Sequence, residues 1–225
     1  MLLRVPQLLN SDELARARAL LKAGPWVDGR STAGPQAASV KRNQQLPVAC
    51  DEARALQVIV LGALERNTLL FSAALPKRVL PPMFNRYGGH RNHYGNHVDQ
   101  AIRQNGEHRL RTDLSCTLFL SDPTEYDGGE LVLVENGAER LVKLPAGHLV
   151  LYTTQRVHRV EPVTRGTRLA AFFWIESLVR STEQRQILFD MDMALMQLRE
   201  RDGDSAETVV LVGMYHNLLR LWADT

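Results

Sequence analysis

The stretch Glu130-Leu-Val-Leu-Val-Glu-Asn-Gly-Ala-Glu-Arg-Leu-Val-Lys-Leu144 decides the fold. Two apolar or alternating runs, 130–135 and 139–144, flank Asn136-Gly137. That dipeptide tolerates the positive φ angles of a tight reverse turn, so the segment reads as a β-hairpin. Working outward, the same pattern fills residues 77–176. Further short runs at 79–87, 114–120, 149–153 and 167–175 are separated by turn signals: Pro81-Pro82, Gly88-Gly89, Asp127-Gly128-Gly129, Pro145-Ala-Gly147 and Arg165-Gly166. About eight short strands at this spacing predict a double-sheet jelly roll, or double-stranded β-helix.

Helical patterns flank this core. After a strand-like stretch at 2–9, Asn10 or Ser11 can cap a helix whose stripe is Leu14, Ala17, Leu20 and Leu21, ended by Gly24-Pro25. Residues 28–47 are rich in Gly, Ser, Ala and Pro and read as a loop. A second helix is expected over 51–67, with Leu56, Ile59, Val60 and Leu64 on one face. Beyond the core, Ser181-Thr-Glu-Gln184 resembles a capping box, and Ile187, Met191, Leu195 and Leu198 recur at helical spacing. Gly203 interrupts the pattern before a last helix at 207–222. The expected class is α+β with a mainly β core. Its parts are an N-terminal segment (1–76) packing on the core, the jelly roll (77–177) and a C-terminal helical extension (178–225). The stripe on that extension reads as core or as a subunit interface, so homo-oligomerisation through the tail is one expectation.

Composition excludes several classes of function. The chain has 225 residues, 44% of them hydrophobic, and a formal net charge of +2 with Lys and Arg scattered along it. That leaves no basic footprint for nucleic acid. No segment approaches the ~18 apolar residues of a membrane span. Arg4 and Pro6 interrupt the N-terminus before a signal-like core develops. Cys50 and Cys116 lie far apart and read as free thiols. The expectation is a cytoplasmic globular protein.

The chemistry concentrates in Asn85-Arg-Tyr-Gly-Gly-His-Arg-Asn-His-Tyr-Gly-Asn-His97-Val-Asp99. On a strand, residues two apart share a face, so His97 and Asp99 can approach one ion. His158 follows about 60 residues later, and a jelly roll can bring such distant strands together. Two imidazoles and one carboxylate form a facial triad that leaves adjacent positions open on an octahedral iron(II) for a keto-acid and dioxygen. A keto-acid also needs a cation for its distal carboxylate. Arg168, ten residues beyond His158, offers a planar fork suited to that group, and Tyr87 can donate a phenolic hydrogen bond to it. His93 and His97 are four apart, as on zinc-binding helices, but Gly88, Gly89 and Gly95 disfavour a helix there.

Together, Phe84-Asn-Arg-Tyr87, His97-Val-Asp99, Leu118-Phe-Leu, Gly128-Gly-Glu130 and His158-Arg-Val-Glu-Pro-Val-Thr-Arg-Gly-Thr-Arg168 resemble the iron(II)/2-oxoglutarate dioxygenases. More narrowly they resemble the PKHD-type (PiuC/YbiX-like) hydroxylases, bacterial relatives of prolyl and lysyl hydroxylases. The resemblance implies Fe(2+) on His97, Asp99 and His158, and 2-oxoglutarate on Arg168, with Tyr87 and Ser115 as further contacts. It also implies ascorbate as reductant, O2 as co-reactant, and hydroxylation of a small-molecule or peptide substrate with release of succinate and CO2. By family name it suggests a link to iron homeostasis. Asp99 favours hydroxylation, because related halogenases replace this carboxylate with a smaller residue. The 90–94 segment, His90-Arg-Asn-His-Tyr, is expected to line the entrance. A different class of function is a jelly-roll sensor that binds metal and 2-oxoglutarate without turnover.

Overall fold

The computed structural model describes every residue except Gly106, Glu107 and Asn136, and only the backbone of Asn105 and His108. The N-terminal part contains β1 (Leu2–Val5), α1 (Ser11–Ala23), β2 (Val27–Asp28), α2 (Pro35–Val40), β3 (Lys41–Arg42), β4 (Gln44–Gln45), α3 (Asp51–Glu65) and α4 (Thr68–Ala74). Next come β5 (Pro76–Val79), β6 (Met83–Tyr87), β7 (His93–His97), β8 (Ile102–Asn105), β9 (His108–Arg111), β10 (Leu114–Phe119) and β11 (Tyr126–Gly128). The remainder is β12 (Leu131–Glu135), β13 (Ala138–Val142), β14 (Leu149–Thr153), β15 (His158–Val160), β16 (Val163–Gly166), β17 (Arg168–Ser177), α5 (Thr182–Asp202) and α6 (Ala206–Trp222).

These strands form two main antiparallel sheets. The larger runs β1-β14-β10-β17-β6-β4-β2, with β5 also on β17, and the smaller runs β13-β12-β15-β7-β3. The double-sheet core expected from the spacing of the short runs is therefore present. The β12–β13 hairpin pairs Glu135 with Ala138; Gly137 lies in its turn, while Asn136 lies outside the described residues.

Alternation along the central strands shows why the larger sheet sits in the middle. On β10, Leu114, Cys116 and Leu118 join Leu149 and Leu151 of β14 and Ala171, Phe173 and Ile175 of β17 in a core shared with α1, α3 and α4. The intervening residues Phe119, Val150 and Tyr152 turn the other way, against Leu131, Leu133 and Val160 of the smaller sheet. A sheet covered on both faces needs apolar side chains on both, so its strands read as nearly continuous apolar runs. Leu114, Leu118, Leu149 and Leu151 are fully buried. Each such side chain contributes about 1.5–3 kcal/mol of transfer free energy.

The helices follow local rules. Asn10 caps α1 and completes a capping box with Glu13, satisfying donors that the first turn leaves free. Cys50, a free thiol, caps α3 by accepting from the Ala53 amide at 3.4 Å. The helix expected over 51–67 is α3, which ends at Glu65; a further short helix not foreseen, α4, follows it, and Asn67 caps it by accepting from the Leu70 amide. At α5, Ser181 accepts from the Gln184 amide as its capping spacing suggests.

Two other readings change. The run at 79–87 is split by Pro81-Pro82, since neither proline offers a backbone N–H to a ladder, leaving β5 and β6. Residues 28–47 are more than a loop: β2 and β4 extend the larger sheet beyond β6, and β3 adds to the smaller one at β7. Two-residue strands are too short to show alternation. Among the described residues, no helix is long and apolar enough to cross a membrane.

Candidate active site

The strands β7 and β15 pair antiparallel with His97 opposite His158, and the register shifts between His158 and Val160. Such irregularities bend a strand and re-aim its side chains, which is why they recur beside functional sites. Here the two imidazoles meet with centroids 4.1 Å apart. His97 ends its strand, and Asp99 lies just beyond it. The pair therefore meets through a strand end rather than within a strand. One ligand-type atom from each of His97, Asp99 and His158 lies within 4.8 Å of the others, and His158 Nε2 stands 3.6 Å from Asp99 Oδ2.

Both imidazoles are held in one tautomer by the same device. His97 Nδ1 is 2.8 Å from the carbonyl of Gly95, and His158 Nδ1 is 3.0 Å from that of Arg156. A carbonyl only accepts, so Nδ1 carries the proton in each ring and Nε2 keeps its lone pair free for a metal. Burial, reinforced by the neighbouring His158, pushes the His97 pKa down to about 4. A neutral, pre-oriented imidazole is the form a metal ion takes up.

The carboxylate is fixed with equal care. Asp99 Oδ2 accepts from Ser115 Oγ and from the indole Nε1 of Trp174, both at 2.9 Å. Ser115 and Trp174 are themselves paired across β10 and β17, so one rung of the larger sheet orients the acid. Ser115 Oγ is also within 3.0 Å of Thr154 Oγ1. Sequence reading gave Trp174 no role. Its signal was the period of β17, on which Arg168, Phe172 and Trp174 share a face.

Arg168 opens β17 opposite Tyr87 of β6 and is 1% exposed. Its guanidinium lies over the rings of Tyr87 and Phe119, 5.3 and 5.2 Å from their centroids. Its Nε and Nη2 have no hydrogen-bond partner among the described residues, and it forms no ion pair with any of them. A buried, unpaired cation costs several kcal/mol, so this site is built to receive an anion. The Gly128-Gly129 pair makes the necessary room. Both have positive φ; a Cβ on Gly129 would stand 3.1 Å from Arg168 Cδ, and one on Gly128 would strike the Pro162 carbonyl oxygen.

The triad, Arg168, Tyr87 and Ser115 all line one pocket, so the six residues singled out from sequence converge. From the segment 90–94 only Tyr94 reaches it, stacking on the His97 ring with centroids 3.6 Å apart. His90 and His93 do not line the pocket. The His93–His97 spacing falls on β7, not on a helix, which removes the zinc-helix reading.

Comparison with known proteins agrees with this geometry. The 2OG-Fe(II) oxygenase superfamily matches residues 82–176, and the PKHD-type hydroxylase C-terminal domain matches residues 183–224. PKHD-type hydroxylases of Polaromonas sp. and Verminephrobacter eiseniae are each 58% identical over 227 residues, covering the whole of both chains. The chain belongs to the PKHD-type hydroxylases. It is a 2-oxoglutarate-dependent dioxygenase, and the family implies iron(II) and 2-oxoglutarate. Among solved structures, a Pseudomonas putida prolyl-4-hydroxylase is similar in fold, with a TM-score of 0.51 and 21% identity over 78% of this chain and 92% of that one. A Trichoplax adhaerens prolyl hydroxylase, solved with a hypoxia inducible factor peptide fragment, gives a TM-score of 0.56 and 15% identity over 83% and 86%. These likenesses identify the core as a jelly roll.

Proposed function

We propose that the chain is a hydroxylase that holds iron(II) on His97 Nε2, the Asp99 carboxylate and His158 Nε2, and anchors the distal carboxylate of 2-oxoglutarate on Arg168. The observation that carries this reading is the buried Arg168, whose Nε and Nη2 have no hydrogen-bond partner among the described residues, in the same pocket as two tautomer-locked histidines and a fixed carboxylate. The donor set suits iron(II): two imidazole nitrogens and one carboxylate leave open positions for a keto-acid and dioxygen. Tyr87, buried beside Arg168, is the proposed second donor to the same distal carboxylate. Ser115 and Trp174 act through Asp99, turning its lone pairs toward the ion.

Bound there, iron(II) supplies oxidation: 2-oxoglutarate loses CO2 and becomes succinate with one oxygen atom of O2, and the other enters a substrate C–H bond. The protein contributes orientation, charge and exclusion of water. Asp99 occupies a coordination position that a halide would otherwise need, which supports hydroxylation. The substrate class is a small molecule or peptide side chain that enters through the pocket mouth. Ascorbate is proposed as the reductant that restores iron(II) after uncoupled turnover, and a link to iron homeostasis follows the family resemblance. Homo-oligomerisation through the tail finds support in Val209, Val210, Met214 and Leu221, which α6 leaves exposed.

The test is anaerobic reconstitution with iron(II) and 2-oxoglutarate, which should give a visible charge-transfer band. Admission of oxygen should then yield succinate. Absence of succinate, coupled or uncoupled, from protein with a full complement of iron would refute the proposal.

A further inference from the structure

We infer that the prime substrate carries an oxyanion, a carboxylate in the simplest case, which docks between Lys41 and Arg103 at the wall of the pocket. This inference rests on the proposed function and concerns the part of the pocket that iron and 2-oxoglutarate leave open.

The first observation is charge. Three cations, Lys41, Arg103 and Arg168, and one carboxylate, Asp99, are the charged residues lining the pocket. As metal ligands through Nε2, the two histidines would add no charge, with Nδ1 of each donating to a carbonyl. Iron(II) and dianionic 2-oxoglutarate cancel one another, so loading the site leaves the pocket with two unbalanced positive charges. With Arg168 engaged by the cosubstrate and Asp99 by the metal, the surplus resides on Lys41 and Arg103.

The second observation is how these cations are held. Lys41 is 3% exposed, and its Nζ donates to two neutral acceptors, Gln45 Oε1 at 2.9 Å and Thr32 Oγ1 at 3.1 Å. Arg103 is half-buried, with its guanidinium 4.0 Å from the centroid of Trp174. Neither forms an ion pair with any described residue. An ammonium carries three donors; these acceptors take two, and Nζ otherwise meets only the Tyr94 and Phe172 rings, 5.3 and 5.7 Å from their centroids, among the described residues. Burial and the facing Arg103 pull the Lys41 pKa down to about 8, so the amine remains mainly protonated at neutral pH.

A third observation lies in the same wall. The Asn43 side chain, 1% exposed, has neither its nitrogen nor its oxygen paired among the described residues, and Asn85 Oδ1 is likewise buried and unpaired. Native interiors rarely leave such groups unmet. Buried donors and acceptors in a pocket that also holds two cations with no ion-pair partner among the described residues describe a polar ligand site. Tyr94, Phe172 and Trp174 add apolar ring surface beside it. Two wall residues, Lys41 and Asn43, come from the N-terminal segment.

The experiment uses the anaerobic iron(II)–2-oxoglutarate protein at low ionic strength and two matched probe pairs, benzoate against benzamide and phenylacetate against phenylacetamide. Binding is followed by calorimetry and by tryptophan fluorescence in a Trp26→Phe, Trp222→Phe background that leaves Trp174 as the reporter. The acid of each pair should bind about tenfold or more tightly than its amide. Lys41→Met and Arg103→Met should each remove most of that preference, and Arg103→Lys should restore most of what Arg103→Met loses. Should Lys41→Met fail to fold, the Arg103 pair decides. Equal affinity for acid and amide, tighter amide binding, or no binding of any probe overturns the inference. Failure of the charge-transfer band to form in the parent protein overturns the proposed function instead; a normal band without acid preference overturns this inference alone.

Discussion

His97 and His158 stand opposite one another on paired strands, and each ring donates Nδ1–H to the carbonyl two residues before it. The backbone that builds the sheet thus also sets the tautomer of both ligands. Replacing His97 or Asp99 with alanine should leave the sheets intact, because neither side chain belongs to the apolar clusters. Iron-dependent succinate formation should fall by more than about 10²-fold, beyond the cost of an outer partner. Iron content per chain and far-ultraviolet circular dichroism check the two halves of this expectation. Retained turnover in the Asp99→Ala protein would sink the assignment.

Arg168→Met removes a buried cation that has no anion in the metal-free protein. Its removal should stabilise that form by about 1 kcal/mol or more, even though two ring contacts are lost. Affinity for 2-oxoglutarate should fall roughly 30- to 150-fold, the equivalent of about 2–3 kcal/mol for a charged hydrogen bond. Denaturant unfolding and titration of the charge-transfer band read the two effects. Unchanged 2-oxoglutarate dependence would remove Arg168 from its role.

Trp174→Phe keeps a ring beside Arg103 and deletes the N–H that Asp99 Oδ2 accepts. Metal affinity should drop about 10- to 100-fold, the range for partners that orient a ligand. A competition titration against a chelator measures it. A purely structural role predicts lower thermal stability with the metal affinity unmoved.

Lys41 gives a pH signature. Its folded pKa of about 8 lies below the ordinary 10.5. Between these values the unfolded chain binds more protons, so raising the pH favours the folded state. The cost of burying the ammonium is therefore complete below pH 8 and is relieved by about pH 10.5, a change of about 3 kcal/mol. The difference in unfolding free energy between the parent and Lys41→Met should shrink by that order across this window. A difference that stays constant with pH would contradict the burial of a charged Lys41.

The sequence showed most of the metal centre because its signals are local or carried by type: His97 and Asp99 are two apart, and Arg168 follows His158 by ten residues, on a strand of the facing sheet. It hid Trp174, whose function depends on standing opposite Ser115 across two strands 59 positions apart in the chain. Ser115 was singled out as a contact to the cosubstrate, and the structure sets its hydroxyl on Asp99. The wall made by Lys41 and Asn43 was hidden for another reason. Strands of two residues have no period to read, and their pairing with β6 and β7 is settled by tertiary packing. Likewise, the break between α3 and α4 turns on a single capping side chain, Asn67.

The segment that carries Lys41 and Asn43 reaches the pocket from outside the strands that hold the triad and Arg168. Residues 28–45 attach to the edges of both sheets, at β6 and β7. One half of the inferred anion site, Lys41, therefore rests on a stretch of chain separate from the strands that hold the metal ligands and Arg168. Substitutions at this short edge should change what the pocket accepts while leaving the positions of the metal ligands and Arg168 unaltered.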